Sequence, residues 1–121
     1  DVLAEFIVGI HCDPQFGLAL TLGAGGIFVE LLKDTATLLM PVSRTEARKA
    51  LESLKVWPLV TGFRARPAGD TEALLDAVMA VVAFAQANAV HLLELDVNPL
   101  LVLPQGRGVL AVDALIRLCG E

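Results

Sequence analysis

Three oxygen-bearing side chains two positions apart, Glu94, Asp96 and Asn98, interleave with Leu93, Leu95 and Val97. A period of two is the period of a strand, so the polar set occupies one face and the apolar set the other. Pro104-Gln105-Gly106-Arg107 follows with turn chemistry, and Val109-Leu110-Ala111-Val112-Asp113 leads back. If those four residues form the loop, Leu103 pairs with Gly108, and counting back sets Asn98 opposite Asp113. Directly opposed residues have Cβ atoms about 4.5–5.5 Å apart, within reach of one cation for an amide oxygen and a carboxylate. Mg²⁺ suits such a pair, because it takes oxygen ligands, few of them carboxylates, and completes its octahedron with water and phosphate. Glu94 and Asp96 would tune such a site. The plainer alternative is a solvated strand face on which Asn98-Pro99 marks the strand end.

The preceding elements supply a scaffold. Val2–Cys12 reads as a strand with Phe6, Val8 and Ile10 on one face and Glu5, Ile7, Gly9 and His11 on the other. Asp13–Gly17 is a turn and Leu18–Leu22 a second strand, closed by Gly23-Ala24-Gly25-Gly26. Ile27–Lys33 and, after a Lys33-Asp34 turn, Ala36–Met40 complete an expected four-stranded antiparallel meander. Ser43-Arg44-Thr45-Glu46 is a capping-box pattern opening a helix to about Ser53, with Ala47, Ala50, Leu51 and Leu54 inward. Trp57–Gly62 is a short connector and 63–69 a loop. Asp70 caps a long helix to about Asn88, buried through Leu74, Leu75, Val78, Val81, Val82 and Ala85. A hairpin returning after two helices most simply joins the first sheet. The expected fold is therefore α+β, a mostly antiparallel sheet with both helices on one face and Glu94, Asp96, Asn98 and Asp113 on the other. Residues 1–121 form one domain, with no repeat or linker.

Composition narrows the function. A hydrophobic content of 55% and 121 residues suffice for a packed core. The net charge of −5 argues against a nucleic-acid surface, which needs a basic patch. No apolar run reaches the roughly 18 residues of a membrane span. Two cysteines, Cys12 and Cys119, are too few for a zinc site or a disulfide framework, and a reduced cytoplasmic setting is the simplest expectation. The start at Asp1 is read as that of a piece of a longer protein.

The run Glu94-Leu95-Asp96-Val97-Asn98-Pro99-Leu100 with the later Asp113 resembles the end of the ATP-grasp domain in NDP-forming acyl-CoA synthetases. That group includes the ADP-forming acetate–CoA ligases and the beta subunits of succinyl-CoA synthetase. Asp13-Pro14, Phe16-Gly17, then Gly23, Gly25, Gly26 and Glu30 are similar to another run of the family, with Leu18 in place of its usual Pro. The resemblance implies an ATP-grasp second lobe in which Asn98 and Asp113 hold the magnesium of a bound nucleotide, ATP/ADP or GTP/GDP. It puts Glu30 near the nucleotide; Glu94 and Asp96 are candidate cofactor-binding residues that would tune the site or hold water around the metal, or are simply exposed. Gly62-Phe63-Arg64 matches the family's Gly-(Tyr/Phe)-Arg-Gly and implies a catalytic role for Arg64 beside transferring phosphate. Ala65 departs from that pattern and, because Ala disfavours positive φ, the loop is expected to differ there.

No Lys-Ser/Thr follows the glycines at 23–26, so they are not a Walker A loop. His11 and His91 lie in no matching motif and receive no role. The reaction implied joins a carboxylic acid to CoA at the cost of a nucleoside triphosphate. CoA and the acid would be bound by domains outside this chain, and the chain alone is expected to turn over nothing. Two alternatives stand beside this: a non-catalytic α+β regulatory or assembly module, and the synthetase-like region of a protein acetyltransferase fusion.

Overall fold

The computed structural model describes residues 1–25, 33–62 and 65–119. Strands β1 (Ala4–Asp13), β2 (Gly17–Ala24) and β3 (Thr35–Leu39) come first. Helices α1 (Arg44–Glu52), α2 (Trp57–Thr61) and α3 (Thr71–Ala87) follow, and β4 (Leu92–Val102), β5 (Val109–Ala111) and β6 (Ala114–Leu118) close the chain. The sheet runs β3-β2-β1-β4, and β5 and β6 lie end to end along the far side of β4; every pairing is antiparallel.

The core lies between one sheet face and the helices, as the alternation in β1 requires. Phe6, Val8 and Ile10 from β1, Leu20 and Leu22 from β2 and Leu95, Val97, Leu100 and Val102 from β4 are all buried. Ala47 and Leu51 of α1 and Leu74, Leu75, Val78 and Val82 of α3 close over them. Burying each such Val, Leu, Ile or Phe side chain is worth about 1.5–3 kcal/mol. The capping box at α1 is formed: Glu46 N–H donates to Ser43 Oγ (3.1 Å) and Ser43 N–H to Glu46 Oε1 (2.8 Å). Arg44 ties α1 to α3 through Glu72 (3.2 Å) and Asp76 (2.7 Å). Asp70 caps α3 by accepting the Ala73 N–H and also takes those of Gly106 and Gly108, fastening the β4–β5 turn to the helix.

Four expectations are corrected. Thr35–Leu39 pairs directly with β2, so a strand interposed between them, as the meander required, does not hold; most of the expected strand Ile27–Lys33 lies outside the described residues. Leu93 is exposed whereas Leu92 is buried, because the β4–β6 register slips there and shifts the alternation by one residue. The slip leaves Leu95 and Val97 inward as expected. The terminal segment continues past Asp113 into β6, which pairs with the first half of β4. Finally, Asp34 is not a plain turn residue: it is buried, and its carboxylate accepts the N–H groups of Lys55 (2.6 Å) and Val56 (2.8 Å).

Every residue of β6 is exposed, Leu115, Ile116 and Leu118 included, and among the described residues nothing pairs with its outer edge. No helix among the described residues is long and apolar enough to cross a membrane.

Candidate functional site

The pairing of β4 with the last strands has the register that the Pro104–Arg107 turn implies. Leu103 N–H donates to Gly108 O (3.1 Å), Leu100 faces Ala111, and Asn98 N–H donates to Asp113 O (3.1 Å). Asn98 and Asp113 are thus neighbours across two strands, and both are exposed, away from the helix layer. Asp113 Oδ1 accepts the Ala114 N–H (2.9 Å), which fixes the carboxylate at the break between β5 and β6.

Asn98 owes its place to an irregularity on the other side of β4. Phe6 faces Leu100 while Val8 faces Val97, so Asn98 and Pro99 together stand opposite Ile7. A proline lacks the ladder N–H and is accommodated in a strand at such a bulge. The bulge lets Val97 and Leu100 both turn inward, three residues apart, with Asn98 left outside. A strict period of two does not reveal this.

Asp96 is half-buried one step up the strand, facing Gly9 of β1 and Leu115 of β6. Burial first, then the negative charges of Glu94 and Asp113, hold its carboxyl above the ordinary aspartate value. Asp96 therefore feels the charge of both neighbouring acids. Glu94 is committed to an ion pair with Arg117 (2.9 Å), a partner that the sequence pattern did not single out. The side chains of Asp96 and Asn98 have no hydrogen-bond or ion-pair partner among the described residues.

The donor chemistry fits magnesium delivered with a phosphate ligand. One carboxylate and one amide oxygen are hard donors and leave most of an octahedron to other oxygens. Among the described residues, no three His, Cys, Asp or Glu side chains converge closely enough to enclose an ion unaided.

Glu30 and Arg64 lie outside the described residues. Ala65, next to Arg64, corrects the expectation drawn from its side chain: its φ is 64°, the conformation for which a glycine is suited. Gly62, at φ 102°, ends α2 in the same region. Arg66 donates to Leu3 O (2.9 Å) and anchors the far side of the loop. His11 and His91 are exposed.

Residues 3–118 match the family model described as an ATP-grasp domain. The chain is 39% identical over 116 residues to the beta subunit of ADP-forming acetate–CoA ligase II from Pyrococcus furiosus, covering 96% of this chain and 49% of that subunit. A solved protein from Pyrococcus horikoshii superposes with a TM-score of 0.91 at 36% identity, over 98% of this chain and 49% of that one. The dinucleotide-forming acetyl-coenzyme A synthetase 1 of Ca. Korarchaeum cryptofilum, solved with coenzyme A and Mg-AMPPCP, superposes with a TM-score of 0.84 at 36% identity, over 95% of this chain and 53% of that one. The chain thus spans about half the length of the subunit relative it matches.

Proposed function

The chain belongs to the ATP-grasp domain family, and from that premise we propose that it is the nucleotide- and magnesium-binding lobe of an NDP-forming acyl-CoA synthetase. The overall reaction joins a carboxylic acid and CoA with breakdown of a nucleoside triphosphate to the diphosphate and phosphate. The observation that carries the reading is the juxtaposition of Asn98 in β4 and Asp113 at the β5–β6 break, both exposed on the face turned away from the described helices. The ADP-forming names of the relatives favour an adenine over a guanine nucleotide. CoA, the acid and the remaining binding surfaces belong to other parts of the synthetase.

In this reading Asn98 Oδ1 and the Asp113 carboxylate hold the ion, and the bulge at Asn98-Pro99 aims the first of them. The ion, when bound, neutralises and orients the β- and γ-phosphates. Asp96 adds negative potential beside the ion, and Arg117 offsets part of it by engaging Glu94. By the family resemblance, Arg64 takes the role of a guanidinium that stabilises charge on the transferring phosphoryl group, and Glu30 that of a nucleotide-binding residue.

Calorimetric titration of Mg-ADP into the complete protein tests this. Asp113→Ala and Asn98→Ala should each weaken Mg²⁺-dependent ADP binding by at least about tenfold, the scale on which metal-site residues act. Both variants should leave Mg²⁺-free ADP binding nearly unchanged. Wild-type affinity in both would sink the assignment.

A further inference from the structure

Among the described residues, nothing requires Gly9 to be glycine. It lies in the middle of β1, between Thr21 of β2 and Asp96 of β4. A strand-interior glycine weakens its strand, and it usually marks strained backbone or a tight approach by another group. Neither accounts for Gly9. Its backbone is not in the left-handed region. A Cβ added there would meet Asp96 Oδ1 and Leu95 O at 3.6 Å each, ordinary van der Waals contact.

Gly23 provides the contrast. It stands on the same sheet face, opposite Ile7 and Thr35. A Cβ on Gly23 would fall 2.9 Å from Thr35 Cγ2 and 3.2 Å from Asp34 O. Packing excludes a side chain at Gly23, and nothing in the described protein excludes one at Gly9.

We infer that Gly9 is a clearance residue: it leaves bare backbone beside Asp96 so that a magnesium-bound phosphate group of the nucleotide lies flush against the sheet. This rests on the reading of the face as the nucleotide site. The surroundings suit such a ligand. The Asp96 carboxylate, directed to the Gly9 side, has no partner among the described residues, and the half-buried Thr21 flanks the gap with a hydroxyl. Cβ alternation in β1 puts Gly9 on the outer face, since Val8 and Ile10 on either side are buried. A methyl group there would lift a seated phosphate by an ångström or more, and displacements of that size carry large penalties in positioned chemistry.

The test is Gly9→Ala and Gly9→Val in the complete protein, read by thermal unfolding and by Mg-ADP titration. Both variants should unfold at or above the wild-type temperature, because the added Cβ makes only ordinary van der Waals contacts with the described residues and strand propensity improves. Mg-ADP affinity should fall about three- to tenfold for Ala and about thirtyfold or more for Val. Wild-type affinity in both variants would overturn the inference, and so would a fall in unfolding temperature, which would reveal a packing role. Asp113→Ala separates the two claims. If it abolishes the Mg²⁺ effect while the Gly9 variants bind normally, the metal reading stands and the clearance role falls. If the Gly9 variants weaken binding while Asp113→Ala does not, the nucleotide crosses Gly9 but the ion is held elsewhere.

Discussion

Ala65 holds a left-handed backbone that costs an L-residue roughly 1–2 kcal/mol. Gly62 and the Arg66–Leu3 hydrogen bond secure the chain on either side of it, so local preference yields to the pinned ends. Ala65→Gly should therefore stabilise the protein by about 0.5–1 kcal/mol, the strain relieved less the extra freedom of the unfolded chain. Ala65→Val should destabilise it. Urea unfolding measures both, and a less stable glycine variant would show that the loop is not strained. Asp34 behaves oppositely, because its side chain is what the fold needs. Asp34→Ala would strand two backbone donors, those of Lys55 and Val56, at about 1–3 kcal/mol. Asp34 does not stand out in the sequence: it reads as a turn, and only its contacts with Lys55 and Val56 show otherwise.

At the scale of elements, Asp70 couples the start of α3 to the β4–β5 turn. The N–H of Gly108, then that of Ala73, with a smaller share from Gly106, holds its carboxyl below the ordinary value of 3.8. The unfolded chain thus takes up the proton at higher pH than the folded one. This contribution is complete above 3.8 and is lost as pH falls through the lower folded value. Asp70→Asn should flatten the acid limb of stability against pH in that window, and urea unfolding from pH 2 to 6 measures the slope. An unchanged slope would mean the carboxylate adds nothing. The same hairpin shows what was legible in the sequence. A four-residue turn sets the register, and the register alone brings Asn98 beside Asp113. The slips at Leu93 and at Asn98-Pro99 were hidden, because each depends on what the neighbouring strand offers and not on the alternation within β4.

Across the whole molecule, stability is concentrated on one side of the sheet. Leu74→Ala, in the fully buried layer, should cost about 2–5 kcal/mol. Leu110→Ala, on an exposed strand, should change stability by less than about 0.5 kcal/mol. Denaturant unfolding of the two side by side checks the asymmetry, and equal losses would refute it. The layering was readable beforehand, since the periodicities of β1, α1 and α3 each named a buried face and all three faces meet.

β6 gives this architecture an adhesive margin. A strand whose outer ladder has no partner among the described residues, with leucine and isoleucine exposed on its sides, is a template for another chain. Kept concentrated without a covering partner, the protein should grow into larger particles, visible as a rise in scattered light that dilution reverses. An aspartate introduced at Ile116 should keep it monodisperse.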